Sequence, residues 1–203
     1  MHQFGEKSRN IGFISRMCHE NGLDILVDAF ILLKQNRNNS DIKLTITGGQ
    51  TGDDVKYIRA IKKKITKNRL NDCVEFQENF EGEGRKDFFK KVSVLSVPVR
   101  NGEAFGIYLT EAMAAGIPVV QPALGAFPEI IESSKGGIIY SENTPEKLTQ
   151  ALHELLNDGE KCKEMSQNAR NSIVKQFNIN DQASELLNVY ERVNQNELMI
   201  NRG

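Results

Sequence analysis

The sequence predicts an α/β domain of three layers, with helices on both sides of a mostly parallel six-stranded sheet. Two observations lead to this fold class. Short β-type segments alternate with longer segments of helical periodicity along the 203 residues, and the spacing between them is typical of strand–helix–strand units. The composition, 39% hydrophobic and 26% charged, is that of a globular domain.

The first half of the chain contributes four strands and three helices. We predict strands at residues 11–15, 42–47, 74–76 and 93–97, and helices at 22–34, 53–67 and 84–91. Asp53 or Asp54 stands near the start of the second helix as a candidate cap. Pro98 stops the fourth strand, because proline cannot donate a ladder hydrogen bond.

The second half supplies two further strands and five helical segments. Strands are predicted at 116–120, entered by a turn, and at 136–140; helical segments are predicted at 106–115, 129–133, 145–157, 160–177 and 180–194. The last helix carries a single apolar face, formed by Ile179, Ala183, Leu186, Leu187, Tyr190 and Val193. One domain is therefore expected over residues 11–195, with residues 1–10 as a linker or terminal segment and 196–203 as a tail.

Charge and cysteine content exclude several classes of protein. The net charge of −1 implies no broad attraction to nucleic acid. No apolar run approaches the roughly 18 residues that a transmembrane segment needs. A disulfide framework or a metal site is not expected, because the three cysteines are far apart: Cys18, Cys73 and Cys162. These features favour a cytoplasmic protein.

Two glutamates flank a predicted helix start. Glu103 lies in the loop after the fourth strand, and Glu111 follows after seven intervening residues, on the second helical turn. A helix N-terminus exposes unpaired N–H groups that bind phosphate, and Gly106 leaves room for its approach. Carboxylates repel phosphate, so the two glutamates suit sugar or ribose hydroxyls. The spacing alone is more typical of ordinary first-turn acids that are favoured by the helix dipole.

The surrounding residues resemble a known family. Residues 103–120 read E-A-F-G-I-Y-L-T-E-A-M-A-A-G-I-P-V-V, and Gly125 and Glu129 follow. This wording is similar to the signature of the large retaining glycosyltransferase family 4 (group 1), whose members have the two-domain GT-B fold. The resemblance covers residues 11–195. It implies that the chain is the Rossmann-like, C-terminal domain, which binds the donor.

The family's roles carry over to the matching positions. The resemblance implies that Glu103 binds hydroxyls of the donor sugar and is one of two catalytic residues. Phe105, Gly106 and Ile107 would present backbone N–H groups to the diphosphate. Glu111 would bind the ribose hydroxyls. Further along, the loop that contains Gly125 and Glu129 would shape the donor site.

The first loop departs from the family pattern. Arg16, the second expected catalytic residue, would neutralise the diphosphate and stabilise the leaving nucleotide. The family carries a lysine a few residues later, where this chain has Asn21. Asn21 is expected to bind the donor in the lysine's place, because it can donate a hydrogen bond, but it adds no charge. Three alternatives stay open: weaker diphosphate binding, a substitute cation such as Arg100 or Lys56, or a different donor.

Two other loops are candidates for donor contacts. Gly48 and Gly49 follow the second strand and could reach the phosphates through their backbone, although a plain turn explains them as well. Residues 76–80, after the third strand, lie where the family holds the nucleobase.

The resemblance implies transfer of a hexosyl group from a nucleotide-diphosphate sugar to a hydroxyl of a glycan or lipid-linked acceptor, with retention and without a cofactor or metal. It also implies an N-terminal acceptor-binding domain outside this chain, without which the chain is expected to be inactive. The last helix could face that domain or pair two copies into a dimer. The full enzyme could lie peripherally at the inner membrane. A non-catalytic nucleotide-binding module, and a GT-B epimerase or phosphorylase, are the alternatives.

Overall fold

The computed structural model describes the backbone of residues 9–200 and the side chains of residues 9–193. The predicted linker therefore lies outside the described residues except for Arg9 and Asn10. The predicted tail begins inside the last helix, which continues to Ile200.

The sheet has six strands, and every neighbouring pair is parallel. Its order is β3-β2-β1-β4-β5-β6, so the chain starts in the middle, builds outwards and then returns to build the other half. The strands are β1 (Asn10–Ile14), β2 (Lys43–Thr47), β3 (Val74–Gln77), β4 (Val94–Leu95), β5 (Val119–Pro122) and β6 (Gly137–Tyr140). The predicted fold class is confirmed, and the sheet is parallel throughout.

Eight α-helices flank the sheet in the described part of the chain. They are α1 (Leu23–Gln35), α2 (Val55–Lys67), α3 (Gly82–Lys91), α4 (Ile107–Ala114), α5 (Phe127–Ser134), α6 (Pro145–Asn157), α7 (Gly159–Gln176) and α8 (Ile179–Ile200). Short 3-10 turns lie at Arg37–Asn39, Gly52–Asp54 and Asn71–Cys73. Helix α1 packs against α6 and α2, while α7 packs against α4 and α5, which gives the two helical layers.

Three boundaries differ from the prediction for physical reasons. Strand β5 begins at Val119, not at residue 116, because Gly116 and Ile117 donate back to carbonyls of α4 and close that helix. Strand β4 is shorter than predicted, since the Val97 N–H donates to the side chain of Gln121 instead of to a neighbouring strand. Helix α2 begins at Val55, two residues later than predicted, because Gly52–Asp54 form a 3-10 turn that Thr51 caps. Asp54 is the N-cap residue of α2, but its side chain makes no capping bond to that helix.

Strand β1 lies in the centre of the sheet, and side chains at the end of α3 and just after it pack closely against the strand. Each of its residues is buried. A Cβ atom added at Gly12 would lie 2.7 Å from both γ-carbons of Val92 and 2.8 Å from Cζ of Phe88. These distances are shorter than a real Cβ contact, so the absence of a side chain at Gly12 lets the chain that follows α3 lie on β1.

Replacing Gly12 by alanine should lower the free energy of unfolding by about 1–3 kcal/mol, because Val92 and Phe88 must shift inside a packed core. Urea unfolding measures this change. Gly159→Ala is the matched control, since a Cβ there meets nothing within 4 Å. Alanine in the first turn of α7 should be neutral or stabilise the fold by up to about 1 kcal/mol. Equal unfolding free energies for the two variants would contradict this account of the packing.

Candidate functional site

The loops that leave the carboxyl ends of the strands meet at one edge of the sheet, as a parallel sheet requires. Loops after neighbouring strands are bonded to each other. The Met17 N–H donates to the Gly49 carbonyl at 2.9 Å, and the Arg100 N–H donates to the Glu20 carbonyl at 2.9 Å. The loops after β1, β2 and β4 thus form one continuous surface.

Helix α4 starts at this edge with its N-terminus open. Its N-cap is Gly106, whose φ of +72° is a left-handed conformation that favours glycine. No side chain caps the helix. On either side of Gly106, Phe105 is 41% exposed and Ile107 is 65% exposed. Because the first N–H groups of a helix have no partner within the helix, this end can receive an anion.

Glu103 lies in the loop before α4, and both its carboxylate and its backbone are held. Oε1 accepts from the Ala104 N–H at 3.1 Å, and Oε2 lies 3.4 Å from the hydroxyl of Tyr108. The Ala126 N–H donates to the Glu103 carbonyl at 3.0 Å. Burial, together with the charge of Glu103, raises the pKa of Tyr108. The phenol therefore stays protonated and keeps its donor hydrogen.

Glu111 lies on α4 and pairs with an arginine that sequence reasoning missed. Nε of Arg85, in the first turn of α3, donates to Oε2 of Glu111 at 3.1 Å, and Nη2 donates to the same oxygen. Both side chains are about one-third exposed. The two residues are 26 positions apart and belong to no common motif, so the sequence carries no signal for their pairing.

Arg16 is held beside the loop after β2. Its Nε donates to Asp54 Oδ2 at 2.9 Å, and its Nη2 donates to Oδ1 at 3.1 Å and to Oγ1 of Thr51 at 2.9 Å. The Arg16 hydrogen bond, followed by that of the Thr51 N–H, lowers the pKa of Asp54 to about 2. Half of the Arg16 side chain remains exposed. The guanidinium is thus oriented by an ionised carboxylate and still reaches solvent.

Asn21 acts within its own loop. Its Nδ2 donates to Oγ of Ser15 at 2.8 Å and to the carbonyl of Arg16 at 2.9 Å. One bond therefore braces the backbone of Arg16, and the other holds the side-chain hydroxyl of the preceding residue, Ser15. A direct bond from this amide group to a phosphate, as the sequence predicts, would require one of these bonds to break.

Arg100 and Lys56 are the two cations that could replace the family's lysine, and they lie in different surroundings. Arg100 is bound to Asp24 through Nη1 at 2.9 Å and Nη2 at 2.7 Å, and it also donates to the His19 carbonyl. Burial alone would raise the pKa of Asp24, but hydrogen bonds from Arg100 and Tyr57 outweigh it and leave this pKa lowered. The guanidinium of Arg100 is therefore bound to the first turn of α1 through Asp24. Lys56 is exposed on α2.

The glycines after β2 allow two loops to lie against each other. Gly48 has φ of +136°, and a Cβ there would lie 1.8 Å from the Ser15 carbonyl oxygen. The adjacent Gly49 is open, since a Cβ there would meet only Cζ of Phe80 at 3.8 Å. Gly48 thus explains the close approach, and Gly49 leaves space beside the loop after β3. Glu129 lies exposed in the first turn of α5.

Two further properties concern the part of the chain that the structure describes. No group of three or more His, Cys, Asp or Glu side chains in that part of the chain could hold a metal ion. Within the same residues, each helix is too short or too polar to cross a membrane.

Solved structures share this architecture. The C-terminal domain of the glycosyl transferase group 1 family protein LpcC from Francisella tularensis superposes with a TM-score of 0.75 at 20% identity, over 84% of this chain and 86% of that one. HepE of Anabaena, solved with UDP and glucose, superposes with a TM-score of 0.77 at 21% identity, over 90% of this chain and 48% of HepE. The shared fold is that of the C-terminal domain of GT-B glycosyltransferases.

Sequence relatives point the same way. The lipopolysaccharide core biosynthesis mannosyltransferase LpsB of Rhizobium meliloti is 28% identical over 183 residues, which are 89% of this chain and 51% of LpsB. A D-inositol 3-phosphate glycosyltransferase of Corynebacterium urealyticum is 24% identical over 180 residues, 89% of this chain and 42% of that protein. The chain spans about half the length of these relatives. The sequence model of the family "Glycosyl transferases group 1" matches residues 2–172, so the chain belongs to the group 1 glycosyltransferase family.

Proposed function

We propose that this domain binds the nucleotide-diphosphate sugar of a retaining hexosyltransferase, which transfers the hexose to a hydroxyl of a glycan or lipid-linked sugar. The open N-terminus of α4, with Glu103 before it and Glu111 one turn after its start, is the observation that carries the proposal. Among relatives, LpsB is named a mannosyltransferase and HepE was solved with UDP and glucose. Both names fit a nucleotide-sugar donor.

The arrangement suits a ligand with a diphosphate between two sets of hydroxyls. The backbone N–H groups around Gly106 would receive the diphosphate, and the half-exposed guanidinium of Arg16 would add a positive charge. Glu103 would accept hydrogen bonds from the donor sugar, and Glu111 from the ribose. In this proposal neither glutamate transfers a proton.

Bond cleavage would place negative charge on the leaving nucleotide. As the bond from the anomeric carbon to the phosphate oxygen breaks, Arg16 and the end of α4 would stabilise that charge. The acceptor oxygen would attack on the same face and form the new glycosidic bond, with its proton passing to the leaving phosphate. Protein cations and the helix end would take the part that a metal ion plays elsewhere.

A non-catalytic nucleotide-binding module is the second candidate. Its support is the first loop, where Asn21 replaces a charged residue and braces the backbone, while Arg100 is committed to Asp24. Such a domain would bind a nucleotide sugar even when joined to an acceptor domain, yet would transfer nothing. The sequence motif at residues 103–120 disfavours an epimerase or a phosphorylase.

Helix α8 supports the existence of a partner domain. Among its described residues, six apolar side chains are at least half exposed: Ile179, Leu186, Leu187, Val189, Tyr190 and Val193. We propose that an N-terminal acceptor domain covers this face in the whole enzyme; pairing of two copies is the alternative. The enzyme would work in the cytoplasm, where its free cysteines stay reduced.

The chain should bind at least one of UDP-, GDP- and ADP-glucose in calorimetric titrations, and Arg16→Ala should weaken that binding by about 1.5–3 kcal/mol, the range for hydrogen bonds to charged groups. Arg59→Ala is the matched control, because Arg59 is an exposed cation on α2. It should leave the affinity unchanged.

Two results would contradict the proposed site. No affinity for any of the three nucleotide sugars would remove donor binding altogether. Unchanged affinity in a protein that carries both Arg16→Ala and Glu103→Ala would mean that the donor binds elsewhere.

The 203-residue chain alone should transfer little or no sugar, because the acceptor half of the site would come from another domain. A coupled assay for nucleotide release, with hydroxyl acceptors present, measures this. Turnover that is above the buffer blank and disappears in the Arg16→Ala variant would overturn the prediction. Such a result would assign the whole reaction to this domain.

A further inference from the structure

The ion pair between Arg85 and Glu111 is asymmetric. Nε and Nη2 of Arg85 both donate to Oε2 of Glu111. The part of the chain that the structure describes gives no donor to Oε1. The usual fork-to-fork arrangement would have used one donor for each oxygen. One carboxylate oxygen is therefore held, and the other is open to a ligand.

A second contact fixes the guanidinium itself. Cζ of Arg85 lies 5.9 Å from the centre of the Phe89 ring, one turn further along α3. Arg85 thus lies between a ring on its own helix and a carboxylate on α4. A long side chain that contacts both a ring and a carboxylate loses much of its rotamer freedom, so the Glu111 carboxylate is held in a defined orientation.

We propose that Arg85 is a positioning residue for nucleotide recognition. By holding Oε2 of Glu111, it aims Oε1 at the ribose hydroxyls of a bound nucleotide. This inference rests on the proposed donor site, because it gives Glu111 a ribose to bind. It adds a residue of α3, outside the signature, to the binding machinery.

A purely structural role for the pair predicts a different result. Both side chains are about one-third exposed, and exposed ion pairs contribute little to folding. If the pair served only to stabilise the fold, Arg85→Gln would lower the unfolding temperature and would weaken the binding of every nucleotide by a similar factor. If Arg85 orients Glu111, the loss must depend on the ribose hydroxyls.

The test compares a nucleoside diphosphate with its 2′,3′-dideoxy counterpart, using whichever of UDP, GDP and ADP binds the wild-type chain most tightly. Arg85→Gln should weaken binding of the ribonucleotide about five- to tenfold, the equivalent of one ordinary hydrogen bond. It should weaken binding of the dideoxynucleotide less than about twofold. Lys86→Gln is the matched control, because Lys86 is the next residue, has the same charge and pairs only with the exposed Glu83 among the described residues. It should change neither affinity.

Three results would overturn the inference. An equal loss for both nucleotides would make Arg85 a general electrostatic or structural residue. Tighter ribonucleotide binding by Arg85→Gln would mean that Arg85 competes with the ribose for Glu111. An Arg85→Gln effect that persists unchanged in a Glu111→Gln background would show that it does not act through Glu111. Failure of the wild-type chain to bind any of the three nucleotides is the separate outcome that overturns the proposed donor site, and this inference with it.

Discussion

The backbone contact between Gly125 and Glu103 is the constraint on which the arrangement at the sheet edge depends. A Cβ atom at Gly125 would lie 2.3 Å from the Glu103 carbonyl oxygen and 2.5 Å from its nitrogen. With φ of +57° as well, the position accepts little besides glycine. Ala126 then donates to the same carbonyl. The loop after β5 thereby fixes the loop after β4, and with it the turn at Gly106 from which α4 begins.

Local signals explain why the elements could be predicted from the sequence and their ends could not. In buried strands and amphipathic helices, apolar residues follow patterns that a short stretch of sequence shows in full. The six strands and α6 (Pro145–Asn157) were therefore predictable. The start of β5 depends on Gly116 and Ile117 bonding back to α4, which is a contact across the turn. The 3-10 turn before α2 had a local signal, because Thr51 and Asp54 have the spacing of a capping box.

In the candidate site too, local spacing predicted some features, and tertiary packing decided the others. The interval between Glu103 and Glu111 fixes a loop position and a helix position around one N-terminus, and the structure places both residues there. The charged partners of Glu111 and Arg16 come from elsewhere in the fold. Arg85 reaches Glu111 from α3, and Asp54 reaches Arg16 from the loop after β2. Pairing of this kind depends on how elements pack, and a single sequence carries no periodic or spacing signal for it.

These pairings decide how the edge can attract an anion. Arg100 is neutralised by Asp24, Glu111 by Arg85, and Arg16 shares its charge with Asp54, so these three pairs leave no net positive charge. A helix end contributes only about 0.3–1 kcal/mol at an exposed site. Under the proposed function, anion binding would therefore depend on short, directed hydrogen bonds from the start of α4 and from the exposed half of Arg16. Asn21 fits this arrangement, because it adds no charge but bonds to the carbonyl of Arg16 and holds the loop that presents the guanidinium.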